Sequence, residues 1–260
     1  MILRRRVALG GVQLDELDER IVISGIEEGT GAVSVSSVET VNADGKRVTR
    51  KKRDSLDVAV KFLMNIRKDE MAERALLLEK INGWAANGGN LTVAHRPDRR
   101  LVVFLNRAPG GGEMYNWTDE FELGFQAMSV PYWEDAVATS VSSGVTTGGT
   151  LWLDVPGNTK TVVDVDIQNM SGTNNRNVWV NIAGQEIRIS GTQIAAGRTI
   201  RISHPNDGME TYLKITDGVR SLLAFRTGAD DLVVSPGSNR ITFGADRAVK
   251  VTASVRGRYL

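Results

Sequence analysis

Ser55-Leu56-Asp57-Val58-Ala59-Val60-Lys61-Phe62-Leu63-Met64-Asn65-Ile66 alternates without a break. Successive side chains of a strand point to opposite sides, so Leu56, Val58, Val60, Phe62, Met64 and Ile66 share one face. A helix follows at about Asp69 to Asn87. Its apolar stripe is Ala75, Leu78, Ile81 and Ala85, widened by Leu77 and Trp84, at the 3.6-residue period of a single buried face. Glu70 and Arg74 are spaced to pair at i, i+4 on the outer side. Asn87-Gly88-Gly89 supplies the left-handed residues that end helices. Three further strands are expected at Leu91 to His95, Leu101 to Asn106 and Phe121 to Val130, the last running into Pro131-Tyr132-Trp133-Glu134. One helix laid on a curled sheet is an α+β arrangement.

Ahead of this run, residues 1 to 54 read as short strands and turns. Ile21-Val22-Ile23 is an apolar run that Gly25 ends, and Ala32 to Val41 is strand-like. Asp44-Gly45 has the chemistry of a hairpin turn. The return arm Lys46-Arg47-Val48-Thr49-Arg50-Lys51-Lys52-Arg53 carries six cations in eight residues. A solvated hairpin and a surface that meets an acidic partner are both open readings of it, with DNA binding a third that ranks last.

Past Trp133 the composition changes. Ala108-Pro109-Gly110-Gly111-Gly112 reads as a connection between strands, and Ser140 to Gly149 as the linker between two domains, 1–135 and 136–260. Beyond it come short strands: Leu151 to Val155, Val162 to Gln168, Val178 to Ile182, Glu186 to Ser190, Ile200 to Ser203, Leu213 to Ile215, Ser221 to Arg226, Asn239 to Phe243 and Val249 to Val255. Turns at Pro156-Gly157, Gly191-Thr192, Asp207-Gly208, Asp217-Gly218 and Pro236-Gly237 separate them. Many strands at this spacing, with no helical period, predict a β-sandwich.

The bulk numbers narrow the function classes. At 260 residues each half is long enough for its own core. Thirty-two Lys and Arg against 31 acids leave a charge of +1, which gives no global reason to expect nucleic-acid or membrane binding. The absence of cysteine removes disulfides, thiolate metal sites and thiol catalysis, and it fits a reducing cytoplasm. The start has no apolar run of signal-peptide length, and no stretch approaches the roughly 20 apolar residues of a membrane span.

No constellation of catalytic or metal-binding chemistry emerges. His95 and His204 are far apart and outside metal-ligand spacing, so both read as structural or surface residues. Asp15, Glu16, Asp18 and Glu19 lack the spacing of a calcium loop and read as a solvated face. Asp164 and Asp166 share a strand face, but Val163 and Val165 alternate with them as on any half-exposed strand. The triple glycine at 110–112 is followed by neither Lys-Ser nor Lys-Thr, so it is no phosphate loop. Asn90-Leu91-Thr92, Asn116-Trp117-Thr118 and Asn169-Met170-Ser171 match a glycosylation pattern that is frequent by chance. Catalytic, cofactor-binding and metal residues are accordingly expected to be none. Two tryptophans stand out, because Trp152 and Trp179 both point away from the apolar faces of their strands. Each reads as buried under a loop or at an interface, with sugar stacking as the alternative.

Three places carry a family resemblance. The first is the strand–helix–strand run, with Trp84-Ala85 at the helix end and Leu91-Thr92-Val93 after it. The second is Trp117 to Glu134 with its aromatic Pro-Tyr-Trp corner. The third is Leu232-Val233-Val234-Ser235-Pro236-Gly237-Ser238-Asn239-Arg240-Ile241-Thr242-Phe243, which looks like a last hairpin, with a final strand closing on Arg258-Tyr259-Leu260. In order and spacing these resemble the distal tail proteins of long-tailed, siphovirus-type bacteriophages.

The resemblance implies a mainly β fold: a split β-barrel with one helix that forms a ring over 1–135, then a galectin-like β-sandwich over 136–260. It implies a homohexameric ring joining the tail tube to the host-adsorption device, at the virion tail tip, assembled in the host cytoplasm. Expected partners are other copies of the chain, the tail-tube protein, and tail-tip and receptor-binding proteins, with DNA passing through unbound. No enzyme activity, cofactor or membrane is implied. The residues marked as candidate interface are Lys46, Arg50, Lys51, Lys52, Trp152 and Trp179. A carbohydrate-binding module contacting a host glycan is the alternative, and a glycan-cleaving enzyme is disfavoured by the missing constellation.

Overall fold

The computed structural model describes residues 6–29, 31, 33–39, 46–67, 70–109 and 119–260, with the backbone alone at Lys46, Lys51 and Asp119. The Asp44-Gly45 turn, Asp69, the triple glycine at 110–112 and Trp117 lie outside the described residues. The chain divides into two compact units, one of Met1–Tyr132 with Asn206–Thr211, the other of Trp133–Pro205 with Tyr212–Leu260. The fold is mainly β, and among the described residues it has one α-helix.

The first unit contains β1 (Val7–Leu9), β2 (Val12–Gln13), β3 (Ile21–Glu28), β4 (Val33–Glu39), β5 (Lys46–Arg53), β6 (Leu56–Met64), α1 (Met71–Ala85), β7 (Gly89–Val93), β8 (Arg96–Arg107) and β9 (Asp119–Ala127). Its curled half-barrel sheet runs β2-β1-β7-β8-β9-β6-β3. The alternation in β6 does what it promises: Leu56, Val58, Val60, Phe62, Met64 and, just past the strand, Ile66 are all buried. Burial of each such side chain contributes roughly 1.5–3 kcal/mol. In register with β9, Val58, Val60 and Phe62 face Phe125, Leu123 and Phe121, and the Phe62 and Phe121 rings stack at 5.5 Å.

The helix lies on that inner face with a different stripe from the one expected. Arg74, Leu77, Ile81 and Ala85 are buried, whereas Ala75 is exposed and Leu78 only half-buried. Arg74 does not sit on the outer side; its guanidinium lies over the Phe121 ring, 5.0 Å from the centroid. A long side chain whose planar cation can cover an aromatic face is compatible with an inward position. Trp84 meets Phe125 edge-on at 6.2 Å and donates its indole N–H to the Val12 carbonyl at 3.1 Å. The helix ends where Gly88 (φ 60°) and Gly89 (φ 121°) take left-handed conformations. Gly25 does not end β3. The register slips between Ile23 and Gly25 and the strand continues to Glu28, so the glycine marks a bulge.

The second unit contains β10 (Trp133–Asp135), β11 (Thr139–Ser142), β12 (Thr146–Val155), β13 (Thr161–Asn169), β14 (Asn175–Ile182), β15 (Gln185–Ile194), β16 (Thr199–Ser203), β17 (Lys214–Thr216), β18 (Arg226–Gly228), β19 (Val233–Val234), β20 (Gly237–Val255) and β21 (Arg258–Tyr259). The order is β17-β16-β13-β20-β14-β15-β18, with β11 and β12 also paired to β20. The first half of β20 pairs with β12 and β14, and its second half with β13 and β11. One strand thus serves both sheets of a sandwich. Val163, Val165, Val178, Val180, Ile187, Ile189 and their neighbours fill the core between them.

Five expectations are corrected here. Ser140 to Gly149 is not a linker, because Thr139–Ser142 and Thr146–Val155 are ladder strands. Gly148 and Gly149 belong to the ladder because backbone and ring approach closely: a Cβ on Gly149 would stand 3.2 Å from Phe243 Cζ. Asn239–Phe243 and Val249–Val255 are one strand, held extended between them by the bond from Arg247 N to Asn175 Oδ1 at 2.8 Å. Gly191 (φ 76°) is a position inside β15, at a register slip of the β14–β15 pair, and not a turn. Ser221 to Arg226 forms a short 3₁₀ turn, Leu223–Phe225, before β18. Finally, Val233-Val234 pairs with β13 and not with β20, so the Pro236-Gly237 turn connects strands without making a hairpin.

Candidate functional site

The basic arm is an exposed feature of the first unit. β4 and β5 pair only with each other, as a separate two-stranded sheet. Every residue of β4 is exposed, and so are Arg47, Val48, Thr49, Arg50 and Lys52. Register fixes the faces. Val33, Val35 and Val48 share one side with Ser37 and Arg53, while Ser34, Ser36, Val38, Arg47, Arg50 and Lys52 share the other, so both sides mix valine and cation. At the arm's root, Lys52 Nζ is 3.9 Å from Asp54, Ser34 Oγ donates to Asp54 Oδ1 at 3.1 Å, and the Arg53 guanidinium lies 5.7 Å from the Tyr132 ring centroid. Of the expected cations, Arg50 and Lys52 are placed on this arm. The side chains of Lys46 and Lys51 lie outside the described residues.

The outer face of the curled sheet was not singled out in the sequence. It carries Glu27, Asp57, Glu120 and Glu122, interleaved with Val22, Ala59 and Leu63. Lys61 pairs with Glu27 at 2.5 Å and Arg107 with Glu122 at 2.6 Å. The Glu27 contact holds the Lys61 ammonium above its ordinary pKa. Asp57 accepts from Gln126 Nε2 at 2.7 Å and Glu120 from Ser24 Oγ at 2.6 Å, both neutral donors. Strand alternation brings these acids together from three separate strands, so no local run in the sequence announces them.

The two tryptophans share the outer face of the sheet that β12, β20 and β14 form. Trp152 is opposite Arg240 and Trp179 opposite Gly244, four residues apart along β20. Their environments differ. Trp152 is 61% exposed. Trp179 is half-buried, lies on Gly244, and has the Arg188 guanidinium 5.8 Å from its ring centroid.

The remaining polar groups are used locally. The His204 side chain is 4% exposed, with Nδ1 3.0 Å from Asp164 and Nε2 3.2 Å from Asp231. Asp166 takes a bidentate bond from Arg201, at 3.0 and 3.3 Å, so Asp164 and Asp166 turn to different partners. His95 contacts Glu28. In the acidic cluster, Asp18 is held by the side-chain and backbone N–H groups of Arg20, which lower its pKa to about 2. Glu16 accepts from Gln13 N at 3.3 Å. Among the described residues no group of three or more His, Asp or Glu could hold a metal ion, and no helix is long and apolar enough to cross a membrane.

This arrangement, a curled half-barrel with a helix followed by a sandwich built on one shared strand, is the fold of phage tail-hub proteins. The chain is similar to the Dit protein (gp 19.1) of phage SPP1, described as a paradigm of the hub adsorption apparatus in phages that infect Gram-positive bacteria. The TM-score is 0.65 at 12% identity, over 98% of this chain and 99% of that one. It is also similar to a chain of the phage P2 baseplate in its activated, calcium-bound conformation, with a TM-score of 0.51 at 8% identity over 97% and 98%. No protein-family model and no curated protein sequence matches the chain. The likeness is one of fold, at 8–12% identity.

Proposed function

We propose that the protein is the structural hub of a long-tailed phage's tail tip. In this reading, copies of the chain close into a ring of six through a ring-forming domain, 1–135. The ring joins the tail tube to the adsorption device and leaves an open passage for DNA. The galectin-like domain, 136–260, offers its outer sheet face, with Trp152 and Trp179, to tail-tip and receptor-binding proteins. The observation that carries the reading is the end-to-end match to SPP1 Dit, over 98% of this chain and 99% of that one. The local use of His95, His204, Asp164 and Asp166 supports a role in assembly and not in catalysis. Location in the virion and assembly in the host cytoplasm belong to the same proposal.

The test is the mass of the full-length protein by light scattering, together with electron micrographs taken with and without the tail-tube protein. A closed ring supports the hub. Single chains under both conditions would remove it.

A second reading, a module that contacts a host glycan, rests on Trp152, whose exposed indole beside Arg240 offers a stacking surface with a polar neighbour. A glycan array separates the two, because the hub reading expects no saccharide signal from the isolated chain.

A further inference from the structure

We infer that the β4–β5 arm of one copy docks on the outer face of β3, β6 and β9 of a second copy. This rests on the hub reading and names the contact that builds its ring.

Three observations lead there. A two-stranded hairpin without a core beneath it is marginal in water, and β4–β5 is such a hairpin. Its edges and its exposed valines, Val33, Val35, Val38 and Val48, interleaved with cations on both sides, are left open by the single chain. Its two strands carry six cations against one acid, Glu39, in a molecule whose total is only +1. The compensating acids therefore lie elsewhere. The outer sheet face is one place where they gather: four carboxylates against Lys61 and Arg107, with Asp57 and Glu120 accepting hydrogen bonds from the neutral donors Gln126 Nε2 and Ser24 Oγ. Exposed Val22 and half-buried Ala59 and Leu63 give that face apolar ground between the charges.

Arm and face are thus complementary in both charge and apolar character, and both are open on one chain. A second copy satisfies both. The contact is heterologous, since the arm of one copy meets a different surface of the next, so every copy has one of each to offer. Such head-to-tail contacts close into a ring when the rotation allows. Opposite charges on the two surfaces also fix register and speed encounter, and they make assembly weaken as salt rises.

The experiment uses the full-length protein and reads its mass by light scattering across a salt series. Arm reversal is Arg50→Glu with Lys52→Glu, and face reversal is Asp57→Lys with Glu120→Lys. Wild type is expected to give the ring at low salt and single chains at high salt. Each reversal alone is expected to give single chains at every salt. The four substitutions together are expected to restore the ring, which also shows that the reversed surfaces still fold. A wild-type ring that both reversals leave unchanged, with the same salt response, overturns this inference and leaves the hub standing. So does failure of the combined variant to assemble. Wild-type chains that stay single throughout, with the tail-tube protein as well as without it, overturn both.

Discussion

The Trp179 indole lies flat on Gly244 across the β14–β20 pair, so close that a Cβ at residue 244 would stand 2.6 Å from Nε1 and 2.7–2.8 Å from the ring carbons. The glycine leaves a gap in the sheet surface that the indole fills. Gly244→Ala is expected to lift the ring, at a cost of about 1–3 kcal/mol for overpacking a fitted site. The emission of Trp179 should shift to the red as the indole meets water. Trp152 supplies the contrast. Its indole is exposed, so Trp152→Ala should change the unfolding free energy by no more than about 0.5 kcal/mol. Equal losses for the two substitutions would contradict this division between a packed and a free tryptophan.

How far the sequence could be read follows from the same physics. Long alternation, as in β6, survives any tertiary context because one face must be buried, and Leu56 to Ile66 were legible for that reason. The inward turn of Arg74 was not, since charge pattern says nothing about an aromatic ring waiting beneath it. Glycines misled in both directions. Gly148 and Gly149 look like linker but are ladder positions that admit Phe243, and Gly25 looks like a stop but is a bulge. The basic arm was visible as a run of like charges. Its complement was invisible, because Glu27, Asp57 and Glu120 meet only once three strands are aligned.

A buried amide network organises the connection from β13 to β14. Asn169 Nδ2 donates to the carbonyls of Thr173, Ile194 and Ala195 at 2.9, 3.0 and 3.1 Å. Its Oδ1 accepts from Ser171 and from Asn175 Nδ2, itself fully buried. Asn169→Ala removes the donors and leaves buried carbonyls without them, at an expected cost of about 3 kcal/mol. Asn169→Asp should also destabilise, because a carboxylate cannot donate to Ile194. Calorimetry of both variants checks this, and a midpoint equal to wild type for Ala would refute it.

Two glycines near the end of α1 should respond with opposite signs. Gly83 is exposed, in the last turn of the helix, with open space where a Cβ would go. Gly83→Ala is therefore expected to stabilise by about 0.5–1 kcal/mol, through reduced freedom of the unfolded chain. Gly88 has φ +60°, and its Cβ would stand 2.2 Å from the Val103 carbonyl oxygen. Strain and overlap together make Gly88→Ala cost at least about 3 kcal/mol. Urea midpoints of the two variants, on either side of wild type, are the expected result.

Asp217 ties stability to acid. Its Oδ1 accepts the backbone N–H of Arg220 at 2.9 Å and that of Val219 at 3.1 Å, and its Oδ2 takes Arg220 Nε at 2.9 Å. The Arg220 backbone bond leads in lowering its pKa to about 2. The unfolded value is about 3.9. A folded-state pKa below the unfolded one means the charged form is favoured by folding. The contribution is therefore complete above roughly pH 4, and it disappears as the pH falls through about 2. Asn at this position can still accept the two backbone N–H bonds but loses the ion pair. Arg220 is itself half-exposed, which keeps the expected loss for Asp217→Asn near about 1 kcal/mol at neutral pH. The gap between wild type and variant should narrow as the pH is lowered and close near the folded-state pKa. Urea unfolding at a series of pH values reads it directly; a gap that stays constant with pH would mean the carboxylate's charge plays no part in holding the turn.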